Sequence, residues 1–114
     1  MSNTTAFYCI NIVDLTGVTM NLKNEQTDIL FKAILSLETV DECYSLFEDL
    51  CTIKELKDMT QRFQAARMLS EGINYLSISK ETGLSTATIS RVSRCLNYGA
   101  GGYKNALDSL KEKE

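Results

Sequence analysis

The chain of 114 residues has no histidine, no proline and only six glycines. The missing histidine removes the commonest general base and metal ligand, so neither a catalytic triad nor a metal hydrolase can be assembled in the usual way. Four cysteines are present, but Cys9, Cys43, Cys51 and Cys95 show no C-x-x-C spacing, and a zinc site is not expected. Each sits in an apolar pattern and reads as a small buried hydrophobe in a reducing compartment. No run of eighteen apolar residues exists, and the patch 7–13 lacks a basic leader and a small-residue cleavage site. A membrane span and a signal peptide are therefore not indicated, and the cytoplasm is the expected location.

A formal net charge of −3 argues against a nucleic-acid partner only if charge is spread evenly, because the field that meets a phosphate is local. It is not even. Residues 1–52 set two lysines against eight carboxylates, net −6, whereas residues 53–104 set eight cations against four acids, net +4. Within the positive region, Arg91, Arg94 and Lys104 fall in a stretch, 85–104, that contains no acid at all.

Without proline, and with apolar residues spaced by three and four, the chain reads as all-α. Residues 1–19 differ: they are rich in Thr, Asn and Ser around a β-branched run and have no helical face. An added extension, an unstructured arm and an unused upstream start all fit them, and residues 20–114 form the expected helical domain. A first helix is predicted over 24–37, with Ile29, Leu30, Ala33, Ile34 and Leu37 on one stripe and Phe31 and Leu35 on a second side, too apolar for a surface helix. Thr39 with Glu42 forms a capping box for a second helix, 40–50, whose buried face would be Val40, Cys43, Tyr44, Phe47, Leu50 and Cys51. Thr52 with Glu55 repeats the device for a long third helix. Ile53, Leu56, Met59, Phe63, Ala66 and Leu69 mark its packed side, and Gly72 is its expected left-handed stop. Two short helices, 75–82 and 86–96, follow, and after a glycine-rich elbow at 99–102 a last helix runs over about 103–111 with Tyr103, Ala106, Leu107 and Leu110 inward. Six helices with short links fit one domain, and an apolar share of 44% gives it only a modest core unless a second copy adds to it.

Residues 75–96 meet the requirements of a helix-turn-helix. Counting from Tyr75, the fourth and tenth residues, Ile78 and Leu84, are apolar, and the fifth, Ser79, is small where a larger side chain would strike the second helix. The ninth is Gly83, free to take positive φ in the turn, and Ile89 and Val92 face inward. Ser85 is placed to cap the second helix. What remains outward is Ser85, Thr86, Ala87, Thr88, Ser90, Arg91, Arg94 and Asn97. Short hydroxyls and a methyl near a helix N-terminus suit base edges in a major groove, and the arginines suit phosphate or guanine. Serine and threonine are poor choices for a helix that only packs, which favours a contact surface over a plain helical hairpin with solvated arginines.

These residues are also recognisable. Glu55 and Leu56, then Gln61 and Arg62, then the unbroken run from Glu81 through Gly83, Ser85, Ile89, Arg91, Arg94 and Asn97 to Tyr103 resemble the tryptophan-repressor (TrpR) superfamily, most closely its YerC/YecD branch. The resemblance covers roughly residues 20–110 and leaves 1–19 unmatched. It implies a six-helix TrpR-like fold, an intertwined homodimer joined by its amino-terminal helices, and two reading heads on double-stranded DNA at a near-palindromic operator. Recognition helices of such dimers, the Trp repressor among them, lie about 34 Å apart. A transcriptional repressor is the implied role. A dimerisation or adaptor module that presents the elbow 98–103 to a protein partner is the alternative. An enzyme is not expected, for there is no paired carboxylate, no nucleophile with a base and no phosphate loop.

The resemblance also implies an effector pocket at Thr52, Arg62 and Arg91, since the repressor holds its corepressor between an arginine of the central helix and one of the recognition helix. The sequence departs from that pattern at the next residue, where the repressor has glycine and this chain has Val92, whose branched side chain fills the room an indole needs. Arg62 then has other roles open to it, a structural partner at a helix end or a phosphate contact, and a smaller effector of unknown identity also stays open. No cofactor is expected, tryptophan included. Calorimetric titration with L-tryptophan should show no micromolar binding; a saturable micromolar isotherm would contradict this reading.

Overall fold

The computed structural model describes residues 23–113. Six α-helices account for most of them, with no strand among the described residues: α1 Glu25–Leu35, α2 Val40–Leu50, α3 Ile53–Ser70, α4 Tyr75–Thr82, α5 Thr86–Tyr98 and α6 Gly102–Lys113. The questions raised by residues 1–19 lie outside the described residues. The chain divides into two units, one ending at Lys57 and one beginning at Asp58.

In the unit 23–57, the helix starts are set by side chains. The Asn24 side chain accepts from the Thr27 N–H at 2.8 Å, so α1 begins one residue later than the apolar pattern suggests; it ends at Leu35, with Ser36 as its cap, rather than at Leu37. The Thr39 hydroxyl accepts from the Glu42 N–H at 3.1 Å, but the Glu42 carboxylate reaches the N–H of Glu38, at 2.7 Å, instead of completing a box on Thr39. The box at α3 is complete. The Glu55 N–H donates to the Thr52 hydroxyl at 3.1 Å, and the Thr52 N–H donates to the Glu55 carboxylate at 2.8 Å. That N–H, with the Thr52 hydroxyl second, holds the Glu55 carboxyl below its ordinary pKa.

Neither α1 nor α2 has a buried residue in the single chain. The face expected to be covered on α2 is open at Val40, Cys43, Tyr44 and Leu50, with Phe47 and Cys51 half-buried, and Ile29, Phe31 and Leu35 of α1 are exposed as well. The cysteines are corrected with it: Cys43 is exposed, Cys51 and Cys95 are half-buried, and Cys9 lies outside the described residues. Periodicity identifies an apolar face but not the chain that covers it, and here the single chain does not.

The unit 58–113 carries the core. Ala65, Ala66 and Met68 of α3, Ile78 of α4, Ile89 and Val92 of α5 and Leu107 of α6 are buried, with Phe63, Leu69, Ile73, Leu84, Leu96 and Tyr103 packed around them. The buried residues of α3 thus lie in its second half, with Leu56 and Met59 half-buried before them; Ile53 at its start is 90% exposed. On α6, Ala106 and Leu110 are exposed, and Leu107 is the anchor. Gly72, at φ +80°, ends α3 as anticipated: the Ile73 N–H bonds the Met68 carbonyl at 3.1 Å and the Gly72 N–H the Leu69 carbonyl at 3.0 Å, the paired arrangement of a Schellman stop. α5 runs two residues beyond the expected Leu96, and α6 starts at Gly102 and extends to Lys113.

One buried polar side chain, Thr82, pins the turn between α4 and α5. Its hydroxyl donates to the Ile78 carbonyl at 2.7 Å and accepts from the Leu84 N–H at 3.2 Å. Thr82→Val keeps the shape and strands that N–H, so it should cost about 1–2 kcal/mol in urea unfolding; an unchanged midpoint would show that the bond contributes nothing. The Glu55 cap should behave as a depressed carboxylate: its contribution is complete above the unfolded-state pKa and disappears as pH falls through the lower folded-state value. Comparison with Glu55→Gln across an acid series should therefore show a neutral-pH advantage that vanishes on acidification.

Candidate nucleic-acid interface

The geometry of the helix pair follows from three local devices. The Asn74 side chain caps α4 by accepting from the Ser77 N–H at 2.9 Å. Gly83 sits in the left-handed region, φ +79° and ψ 1°, and its N–H returns to the Ser79 carbonyl at 2.9 Å; a residue with a β-carbon is strained in that conformation. The small fifth residue does more than avoid a clash, because the Ser79 hydroxyl reaches across the turn to the Leu84 carbonyl at 2.7 Å. Leu84 thereby has both its N–H and its carbonyl held by α4 side chains, and α5 leaves the turn in a fixed direction.

α5 begins at an extended Ser85 whose hydroxyl accepts from the Thr88 N–H at 3.2 Å. The same hydroxyl lies 3.1 Å from Thr88 Oγ1, to which it donates. Ser85 is thus occupied as a cap, while the Thr88 hydroxyl keeps its own proton to donate. Ile89 is fully buried and Val92 is 3% exposed, which fixes the inner face of the helix. The opposite face presents Thr86, Ala87, Ser90, Arg91 and Arg94, all exposed, with Thr88 half-buried at its margin. Asn97 is exposed too, but its amide donates back to the Ser93 carbonyl at 3.0 Å and lies 3.3 Å from the Ser93 hydroxyl. It is the member of the expected set least ready for an outside partner.

The three residues of the expected effector pocket are differently placed. Thr52 belongs to the unit 23–57, where its N–H and hydroxyl are engaged by Glu55. Arg62 and Arg91 lie in the other unit and share an electrostatic neighbour, Tyr103. Burial pushes the Tyr103 phenol above its ordinary pKa, and the Arg62 charge is the largest opposing influence. The Arg91 charge acts on it more weakly. The Tyr103 ring packs on Phe63 with centroids 6.2 Å apart and planes inclined at 39°. Arg62 is thus an electrostatic neighbour of a tyrosine at the start of α6. Tyr103 in this role, and Thr82 in the turn, were not apparent from the sequence. Spacing marks Tyr103 as an inward residue of the last helix but cannot say which arginines it meets.

Among the described residues no helix is long and apolar enough to cross a membrane, and no group of three potential ligands is placed to hold a metal ion. Residues 25–111 match the family described as Trp repressor protein. The uncharacterized protein YerC of Bacillus subtilis (strain 168) is 56% identical over 93 residues, 82% of this chain and 89% of that protein. Two crystal structures share the fold. A TrpR-like protein from Eubacterium eligens ATCC 27750 aligns with a TM-score of 0.76 at 52% identity, covering 79% of this chain and 93% of that one. A candidate Trp repressor from Staphylococcus aureus aligns with a TM-score of 0.75 at 47% identity, covering 79% and 90%. With six helices among the described residues and a turn built on Gly83, the chain belongs to the Trp repressor family of DNA-binding regulators, as a TrpR-like protein of the YerC type.

Proposed function

We propose that the protein is a sequence-specific transcriptional regulator, acting as a repressor, that binds a near-palindromic operator as an intertwined homodimer. The observation that carries this reading is the outer face of α5. Thr86, Ala87, Thr88 and Ser90 occupy its first turns, Arg91 and Arg94 follow, and no carboxylate occurs between Ser85 and Lys104. A helix N-terminus offers free amides to a phosphate, hydroxyls and the Ala87 methyl are short probes for base edges, and the arginines neutralise backbone charge. Ser85 serves as the cap that sets the helix, and Asn97 would have to release Ser93 before it could bond outward.

Dimerisation is supported by the unit 23–57. Leu35 is 83% exposed, Val40 71% and Ile29 59%, and burial of each such side chain contributes about 1.5–3 kcal/mol. Helices this apolar, with nothing buried in the single chain, call for a second copy, and a symmetric pair in turn presents two α5 helices to two half-sites. Val92 lies in the core beside Arg91, which supports operation without tryptophan.

DNA fragments captured from the genome by the purified protein supply the operator, and gel shifts on it test the assignment. Arg91→Ala and Arg94→Ala should each weaken binding by about 1–3 kcal/mol or lower the salt dependence by about one ion. Binding that is unaffected by both changes and insensitive to salt would refute the assignment of α5. Sedimentation should show a dimer that Leu35→Asp dissociates, with loss of operator binding; a wild-type monomer that binds the full operator would refute the dimer.

A further inference from the structure

The elbow after α5 needs glycine at two points: a β-carbon on Gly99 would collide with the Cys95 carbonyl oxygen, and Gly101 takes φ +91°. Beyond it α6 turns back toward α5 and the end of α3, and the three helices bound an open cavity of about 380 Å³, a volume in the range of small-molecule sites. Its floor is apolar: Leu107 is buried, and Leu69 and Leu96 are half-buried. Its rim is polar. Lys104, Asp108 and Lys111 line it from successive turns of α6, all exposed, and among the described residues no ion pair joins them. Thr52, Arg62 and Arg91, the residues of the expected effector pocket, take no part in it.

The lining selects a ligand chemistry. Two ammonium groups against one carboxylate leave the rim with a net positive charge, which favours an anion. Ser70 and Asn97, the remaining polar residues of the wall, are committed elsewhere as donors: the Ser70 hydroxyl donates to the Arg67 carbonyl at 2.7 Å, and the Asn97 amide donates to the Ser93 carbonyl at 3.0 Å. The lysines are therefore the side chains that can donate to an anion, in charge-assisted hydrogen bonds. The three leucines call for an apolar body, whose contact with them removes both surfaces from water. An aliphatic chain ending in a carboxylate meets both demands. A bare anion would leave the leucines wet, and an aliphatic amine would meet two like charges.

We propose that this cavity is a binding site for a small aliphatic monocarboxylate, held by Lys104 and Lys111 over Leu69, Leu96 and Leu107. Leu96 and Asn97 belong to the last turn of α5, so the occupant touches the helix that carries the reading face without covering that face. The site stands independently of the DNA assignment, because its occupant binds the free protein.

The test is a nuclear magnetic resonance titration of the full chain with hexanoate, with acetate and hexylammonium as controls. Hexanoate should shift the amide signals of Leu96, Asn97, Lys104 and Leu107 along one saturating curve, and the two controls should leave them in place. Lys104→Gln combined with Lys111→Gln changes only exposed side chains, so the melting temperature should hold while hexanoate binding weakens by about tenfold or more, the loss expected when hydrogen bonds to a charged group are removed. No saturable shift with hexanoate, as when a second copy of the chain covers the groove, overturns the proposal. An equal response to hexylammonium overturns it too, since the cavity would then be an unselective apolar surface, and an equal response to acetate does so by making it a general anion site. Undiminished hexanoate binding in the double variant also overturns it.

Discussion

The reading face exists because α5 is held by its other side. Ile89 and Val92 are buried in one core cluster with Ile78 and the α3 residues Ala65, Ala66 and Met68. Gly83 makes the reversal between α4 and α5 sterically free, while Ser79 and Thr82 satisfy the carbonyl and the N–H of Leu84 that such a tight turn would otherwise strand. The inner side of α5 is therefore fixed in position and in rotation about its axis. The exposed Thr86, Ala87, Ser90, Arg91 and Arg94 are set outward by that rotation. A helix-turn-helix can thus vary its outward residues freely while its packing residues and turn stay constant.

The unit 23–57 has the opposite character. Its helix ends are well specified by Asn24, Thr39 and Thr52, yet its helices have no buried residue in the single chain. Local capping gives each helix a start and an end; it contributes roughly 1 kcal/mol per cap, far less than the burial that Ile29, Phe31, Leu35 and Val40 forgo when uncovered. Local rules and tertiary burial have come apart in this unit, and a second copy of the chain is what would rejoin them.

That contrast explains what the sequence made legible. Caps, glycine stops and the residue types of the turn are local, and α2, α4, Gly72, Gly83 and Ser85 stand where spacing places them. Helix ends fixed by competing hydrogen bonds were less accurate: Asn24 turns out to be a cap and not a first residue, and α5 continues past Leu96 until Gly99. The face expected to be covered on α2 is open in the single chain: Val40, Cys43 and Tyr44 have the right period but are exposed. At the candidate site, outward and inward residues of α5 were legible from a single helical period. The packing of Tyr103 on Phe63 was not, because it depends on an elbow that brings the start of α6 to α3, and no periodic pattern encodes such a return. The occupation of Ser85 and Asn97 by their own helix is likewise a matter of side-chain geometry that residue type leaves open.

The central claim, that the hydroxyl and arginine side of α5 is the surface that meets a DNA groove, is tested most directly by nuclear magnetic resonance titration of the full chain with its operator duplex. The account predicts that amide signals from Thr86 to Ser90 and the guanidinium signals of Arg91 and Arg94 shift together and saturate, while those of Ile78, Ile89 and Leu107 move little. Shifts confined to other helices, or saturating binding that leaves the α5 signals in place, would contradict it.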